Sequence, residues 1–376
     1  MKPEIIAFYL PQFHPFKEND EWWGKGFTEW TNVGKAKPLF KGHNQPRVPT
    51  ELGYYDLRLP IVREQQAQMA REAGVTAFCY WHYWFGNGKR LIADIFDEVL
   101  ESGKPDFPFC LGWANHSWFA KTWDKNSTEK DKLLMEQTYP GIEDAKEHFA
   151  FLLKAFKDKR YVKIDGKPFF YIFDPIHLPQ EYLENFKKWA KEAGFPGLYL
   201  VANLSVTDKE EDFLKKGYDA VTFKRILYYN KFTSGNINNV VLRKVSTAMA
   251  MLKGYLLHMP KFIVDYRKYY HNFVTSKELD EHVIPQIVPG WDHSPRSSEK
   301  AVIYTHNSPK YFHKHCVEAL KAIEGKKNKI AILKSWNEWG EGNYMEPDIV
   351  YGRGFVEALR EAINEVFKCN IQYGKG

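Results

Sequence analysis

Lys329-Ile330-Ala331-Ile332-Leu333-Lys334 runs directly into Ser335-Trp336-Asn337-Glu338-Trp339-Gly340-Glu341-Gly342, and the reading of the whole chain turns on this stretch. Its first half is a short apolar run that reads as a buried strand. Its second half packs two carboxylates among indole rings and glycines at the end of that strand, with Glu346 just beyond. Polar groups crowded at a buried strand end must be hydrogen-bonded or left wet, so a purely structural role is costly. A plainer reading is a capping loop ahead of the last helix. A sugar site accounts for more of the residues. Trp offers a flat apolar face to the C–H surface of a pyranose, Asn bonds hydroxyls, and paired carboxylates supply acid and base.

The same pattern repeats upstream. Ile5–Tyr9, Val75–Trp81, Phe107–Trp113, Pro168–Phe173, Leu198–Asn203, Ala220–Phe223, His282–Val288 and Lys329–Lys334 are apolar runs. Between them lie stretches of helical periodicity such as Pro60–Ala73, Leu91–Ser102, Ile142–Lys157, Pro179–Ala193 and Asp208–Lys216. Several of these end at a glycine (Gly74, Gly103, Gly194, Gly217), and Phe355–Phe367 reads as a closing helix. Apolar runs alternating with glycine-stopped helices point to parallel βαβ units. Eight such units predict an α/β fold, a closed (β/α)8 TIM barrel spanning residues 1–376 as a single domain. A doubly wound sheet is the other option, but no Gly-rich phosphate fingerprint follows any strand.

Two segments break the rhythm. Residues 12–59 form a long first loop rich in Trp, Pro and Gly, and its aromatic content opposes disorder. Residues 224–280, after the sixth strand, read as an insertion, helical around Leu242–Leu257. It carries nine Lys/Arg against one Asp before Thr275, interleaved with Tyr228, Tyr229, Tyr255, Tyr266, Tyr269 and Tyr270. This basic segment is either a solvated cap or a surface for an acidic glycan, a membrane or a lipid-linked saccharide.

The chain's 376 residues suffice for a large core, and its 44% hydrophobic and 27% charged content is that of an ordinary globular protein. The aromatic share is not ordinary: 16%, with 12 Trp, is more than a core needs and suggests a ring-lined cleft. A net charge of +6 tolerates an anionic partner without demanding nucleic acid, and no nucleic-acid motif is present. The four cysteines show no metal-ligand spacing, and Cys79 and Cys110 sit inside strand-like runs as small hydrophobes. A reducing, cytoplasmic setting is expected, because the apolar run at the N-terminus is broken at Pro11, too soon for a secretion signal.

In a barrel the active site is built at the C-terminal ends of the strands. The first strand ends at Tyr9, followed by Pro11, Gln12, Phe13 and His14, and the second ends Tyr80-Trp81-His82-Tyr83-Trp84. The third ends Trp113-Ala114-Asn115-His116-Ser117-Trp118, the fourth at Asp174, the fifth at Asn203, the seventh at Trp291-Asp292-His293 and the eighth in the quoted Trp336-Asn337-Glu338 block. From these and the first loop we select Tyr9, His14, Trp30, Asn32, Tyr80, His82, Trp84, Trp113, Asn115, Asp174, Asn203, Trp291, Asp292, Trp336, Asn337 and Glu346 as substrate-binding candidates. Each has a plain alternative: a packed aromatic cluster at Tyr80–Trp84, a turn residue at Asp174, a loop histidine at His14. His82 and His116, with Asp174 or Asp292, lack regular metal-ligand spacing, so no metal and no cofactor are expected.

Glycosidic cleavage needs one carboxyl held protonated near neutrality and another held ionised beside it. Glu338 and Glu341 are the catalytic candidates. Two carboxylates so close on one loop approach a sugar from a similar side, which favours removing a proton from the substrate's own hydroxyl over direct attack on carbon.

Trp336-Asn337-Glu338-Trp339-Gly340-Glu341-Gly342 with Glu346 is similar to the catalytic loop of endo-α-mannosidase-type glycoside hydrolases. Ala7-Phe8-Tyr9-Leu10-Pro11-Gln12-Phe13-His14-Pro15, Gly26-Phe27-Thr28-Glu29-Trp30-Thr31-Asn32-Val33, Tyr80-Trp81-His82-Tyr83-Trp84 and Pro289-Gly290-Trp291-Asp292 resemble the WbsX-like family. That family is found in bacterial polysaccharide and O-antigen loci and carries a glycosyltransferase label. The resemblance spans nearly the whole chain and implies a (β/α)8 barrel with a retaining mechanism through a 1,2-anhydro sugar. Glu338 would then be the base on the 2-hydroxyl. Glu341 would be the acid for the leaving oxygen and later the base for water. The chain departs from the endo-mannosidase loop at Gly340, where His is common.

Three functions compete. A glycoside hydrolase on a bacterial or host polysaccharide suits the paired glutamates. A glycosyltransferase in O-antigen or surface-polysaccharide synthesis suits the family label, but the D-x-D motif that commonly holds a nucleotide sugar is absent. A non-catalytic glycan binder would keep the aromatics with no use for both acids. The expected partner in every case is a carbohydrate.

Overall fold

The structure is a computed structural model. It describes residues 2–120, 132–225 and 262–368, with single positions 245, 248 and 260. Apart from those single positions, the predicted helix around Leu242–Leu257 lies outside the described residues, as do Tyr228, Tyr229, Tyr255 and Cys369.

Among the described residues eight parallel strands make up the barrel: β1 (Glu4–Tyr9), β2 (Ala77–Trp84), β3 (Phe109–Trp113), β4 (Lys167–Ile172), β5 (Tyr199–Ser205), β6 (Ala220–Lys224), β7 (Gln286–Ile287) and β8 (Ile330–Leu333). β1 pairs with both β2 and β8, and the sheet continues through β3, β4 and β5 to β6. β7 pairs with β8 through Gln286 and Ile332, and a parallel bridge between Val221 and Val283 joins β6 to the segment leading into β7. The result is a nearly closed (β/α)8 barrel.

The seventh strand is the weakest. His282–Val288 was expected, but only Gln286–Ile287 and the Val283 bridge are extended ladder. The helix Pro309–Glu324 and the strand Val302–Thr305 carry no counterpart in the sequence reading. The strand pairs in parallel with Phe262–Asp265, a two-stranded sheet outside the barrel. The long first loop contains two short helices, Lys17–Trp23 and Glu29–Lys35.

The outer helices form where the periodicity placed them. Pro60–Ala73 starts with Pro in its first turn and stops at Gly74, whose φ of 85° accepts the left-handed cap. Its buried residues Val62, Gln66, Met69, Ala70 and Ala73 recur at three- and four-residue steps. Every residue of β2 is buried, the mark of a strand covered on both faces.

Inside the barrel Phe8 stacks on Trp81 with ring centroids 4.5 Å apart, and Tyr171 meets both edge-on, at 4.9 Å from Phe8 and 5.9 Å from Trp81. Gly112 on β3 makes room for them, since a Cβ there would come within 3.2 Å of the Trp81 ring. Among the described residues no helix is long and apolar enough to cross a membrane. Cys79, Cys110 and Cys316 are buried free thiols.

Candidate functional site

A cavity of about 530 Å³ opens at the C-terminal end of the barrel. Aromatic side chains dominate its lining: Trp22, Trp23 and Phe27 from the first loop, Trp81 and Tyr83 from β2, Trp118, Phe173 and Trp291 from the loops after β3, β4 and β7. Polar groups stand among them. Asn19, with both side-chain amide atoms, and Asn32, with its carbonyl oxygen, are buried here and have no hydrogen-bond partner among the described residues. The indole nitrogen of Trp291 is in the same condition. Buried polar atoms are nearly always paired, so several unpaired ones in an aromatic cleft are what a hydroxyl-rich ligand would satisfy.

Glu338 and Glu341 both line this cavity. Glu338 ends the strand Asn337–Glu338, which pairs in a hairpin with Asn343–Tyr344, and Glu341 closes the helical turn Trp339–Glu341. The loop is tied down on several sides. Trp336 N donates to Phe8 O at 2.8 Å, and the Asn337 side chain both accepts from Leu10 N and donates to Leu10 O. Asp292 N donates to Glu341 O at 2.6 Å, and Trp339 lies flat on Tyr344 with centroids 3.7 Å apart. Such anchoring holds two carboxylates in place without help from a ligand.

Arg296 is the charge between them. Its Nη1 lies 2.8 Å from Glu341 and 3.6 Å from Glu338, while Nη2 lies 3.0 Å from Glu29. Glu29 begins the helix Glu29–Lys35, where the helix N-terminus favours a negative charge, and Thr28 caps that helix. Three carboxylates thus share one guanidinium. Burial, together with the charge of Glu341, pushes the Glu338 carboxyl up to about 7, against the opposing pull of Arg296, Lys334 and the Ser335 hydroxyl. Ser335 Oγ donates to Glu338 at 3.0 Å. A carboxyl that exchanges its proton near neutrality, beside a second carboxylate, can move a proton to or from a bound hydroxyl.

Gly340 sits against this cluster. A Cβ there would collide with Glu29 Oε2 and come within 2.9 Å of Arg296 Nε. The Glu29–Arg296 pair fills the space that a side chain at position 340 would need.

The sequence-selected residues divide sharply. Glu338, Glu341, Asn32 and Trp291 line the cavity; the other fourteen do not. Parity along the strand explains the largest group. Side chains alternate between the two faces of a strand, so Trp81 and Tyr83 face the cavity while Tyr80, His82 and Trp84 face the helices. Tyr80 packs on Phe96, His82 meets His148 at 2.8 Å, and Trp84 Nε1 donates to Asp144 at 3.1 Å. Tyr9 likewise points outward and donates to Gln66 at 2.6 Å. Trp113 is fully buried, with Nε1 donating to Trp84 O at 3.0 Å and its ring edge-on to His148.

The remainder serve the scaffold around the cavity. Trp30 donates to Tyr55 O at 2.7 Å. His14, within the first loop, is buried, and neither of its ring nitrogens has a hydrogen-bond partner among the described residues. Asn115 bonds Asp174 at both backbone atoms, Asp174 is paired with His177 at 2.7 Å, and Asn203 donates to Phe173 O. Asp292 is buried beneath the catalytic-loop candidate, accepts from Gln45 at 2.7 Å and Ser294 at 2.6 Å, and meets His43 at 2.8 Å; those bonds and the Arg47 charge hold its carboxyl well below the usual range despite its burial. Trp336 is fully enclosed and Asn337 clamps the first loop. Glu346 is pushed up to about 7 by burial, although Trp339, Gln66 and Tyr55 all donate to it.

Among the residues not selected, Glu29, Arg296 and Lys334 matter most. Glu29 could have been found from the Thr28 capping signal, which places it in a first turn. Arg296 carries no local signal, because its three partners lie far away in the chain. Among the described residues no group of three or more His, Cys, Asp or Glu is arranged to hold a metal ion.

The sequence model of the family described as Glycosyltransferase WbsX matches residues 5–359. The uncharacterized protein WxcX of Xanthomonas campestris pv. campestris is 32% identical over 369 residues, in two strains, covering 96% of this chain and 49% of the relative. The chain thus spans about half the length of the curated relatives it matches. Among solved structures, a glycoside hydrolase-like protein superposes with a TM-score of 0.55 at 17% identity, over 98% of this chain and 94% of that one. The GH99 endo-alpha-mannosidase from Bacteroides thetaiotaomicron, in complex with BIS-TRIS-propane, gives a TM-score of 0.55 at 15% identity over 97% of both chains. At such identities the likeness is one of fold.

Proposed function

Because the chain belongs to the WbsX glycosyltransferase family, whose name already implies glycan chemistry, we propose that it is a retaining glycoside hydrolase acting on a bacterial or host polysaccharide. The observation that carries this reading is the pair Glu338 and Glu341 on one guanidinium inside an aromatic cleft, with the Glu338 carboxyl pushed up to about 7.

In the proposed reaction Glu338 takes the proton of the hydroxyl neighbouring the anomeric carbon. That oxygen closes on the anomeric carbon to give a 1,2-anhydro sugar, while Glu341 gives a proton to the departing glycosidic oxygen. Glu341 then takes a proton from water, the water oxygen opens the three-membered ring, and Glu338 returns its proton to the hydroxyl. Two displacements retain configuration. A base whose proton affinity lies near the working pH is matched to this task. Burial supplies the match, and the unpaired Asn19 amide and Asn32 carbonyl oxygen would bind substrate hydroxyls.

A glycosyltransferase is the second reading, favoured by the family description. Incubation with a panel of polysaccharides in the absence of any nucleotide sugar, with products resolved by mass, separates the two. Release of saccharide supports hydrolysis. Product formation only when a nucleotide sugar is added assigns transfer instead.

A further inference from the structure

The cavity has a second electrostatic pole. Lys334 follows directly on β8 and lines the cavity, its Nζ 5.1 Å from the centre of the Trp291 ring. Lys224 ends β6, its Nζ 4.4 Å over the ring of Phe173, which also lines the cavity. Both side chains are half-buried. Among the described residues neither ammonium has a carboxylate within ion-pair distance, in contrast to Arg296, which has three.

The acids whose charge reaches them have other partners, Glu338 being held by Arg296 and Ser335. Asp174 is held by His177 at 2.7 Å, and Asp208 accepts from Ser205 N at 2.7 Å. The neighbouring stretch 226–261 contains no Asp or Glu at all. The Lys224 ammonium is pushed below its usual range first by burial, with Asp174 pulling the other way, and then by the charge of Lys334.

Two like charges drawn from water towards aromatic rings, neither closed into an ion pair, cost free energy in the empty chain. An anion between them removes that cost. Resting on the glycan-cleaving reading above, we propose that the substrate is an anionic glycan, whose carboxylate or phosphate lies between Lys224 and Lys334 while the sugar ring reaches Glu338. The acidic cluster at Glu29, Glu338 and Glu341 would repel that group from the other side, so the two poles together fix the direction in which the glycan lies.

Isothermal titration calorimetry with glucose, glucuronate and glucose 1-phosphate, at low and high salt, tests this without requiring turnover. The expected result is that at least one charged sugar binds about tenfold or more tighter than glucose, with the advantage shrinking as salt rises. Glucuronate ahead of glucose 1-phosphate assigns an acidic sugar, and the reverse order assigns a phosphorylated one. In the double variant Lys224→Met with Lys334→Met the preference should vanish, while Lys334→Arg should keep it and so control for folding. Equal binding of all three sugars, no detectable binding of either charged sugar, or a preference that survives the double variant would overturn the proposal. Because binding is read directly, these outcomes stand apart from any failure to release saccharide.

Discussion

The guanidinium of Arg296 lies 2.8 Å from the Glu341 carboxylate, and the same nitrogen stands 3.6 Å from Glu338. One cation is thereby set between two acids that differ in how closely they hold it. With Glu29 also on that guanidinium, the cluster carries more negative than positive charge when fully ionised, and burial makes it favourable for one carboxyl to keep a proton. The chemistry proposed above depends on that shared proton.

Glu338→Gln and Glu341→Gln should each lower kcat by roughly three orders of magnitude or more while leaving the circular dichroism spectrum and Tm close to wild type. The pH profile of kcat/KM discriminates their roles. If Glu338 is the base it must be ionised, so activity is low in acid and rises as pH passes about 7. A profile that instead falls through the same region would make Glu338 the proton donor.

The contribution of Glu338 and Glu346 to stability should fall as pH rises from about 4.5 to about 7, against the opposite trend of the buried, neutral His82, His148 and His315. Glu338 and Glu346 both hold protons more tightly folded than unfolded, so the folded chain binds more protons across that window and loses its advantage as they leave. The combined effect is on the order of a few kcal/mol. Urea denaturation of wild type and Glu338→Gln at several pH values measures it by difference: the advantage of wild type over the variant should shrink as pH rises through the window. An identical pH dependence in wild type and Glu338→Gln would contradict the burial of Glu338.

Removing the shared cation strands three acids. Arg296→Met should destabilise the chain by about 3–5 kcal/mol, more at alkaline than at acid pH, because protonating the carboxyls relieves their repulsion. Glu29→Gln tests the cluster from the other side. With one negative charge gone, the activity limb assigned to Glu338 should move to lower pH, a shift that a purely structural Glu29 would not produce.

Gly340→Ala adds a single methyl where Glu29 and Arg296 meet. The pair has to separate, so we expect kcat to drop about tenfold or more with a modest loss in Tm. Wild-type turnover in this variant would show that the pair can move without consequence for the acids beside it.

Trp113 and Trp118 make a controlled comparison. Trp113→Ala should cost about 3–5 kcal/mol of stability, since the ring is fully buried between β3 and the helices. Trp118→Ala should leave Tm nearly unchanged and raise KM, because this ring lines the cavity and meets Trp22 at 5.9 Å. Thermal melts and kinetics on the same two variants suffice to check it.

The barrel and its eight strands were readable from residues because each apolar run and each glycine-stopped helix is a local signal, written within about fifteen residues of chain. The weakest strand, β7, was misjudged in length for the same reason: Val283 joins through a lone bridge that only the neighbouring strand can create. The acidic pair at Glu338 and Glu341 was also legible, since both acids belong to one short loop.

Which of the other side chains face the cavity was a different matter. Composition says that Tyr80, Trp81, His82, Tyr83 and Trp84 stand at a strand end, but only the pairing of β2 with β1 and β3 settles which alternate set turns inward. The folded barrel turned Trp81 and Tyr83 in and Tyr80, His82 and Trp84 out. Arg296 and Glu29 lie 267 positions apart and meet only because the first loop and the segment after β7 fold over the same barrel mouth. Local order is set by forces between near neighbours along the chain, whereas the charge that tunes an acid comes from whatever the closed barrel brings beside it.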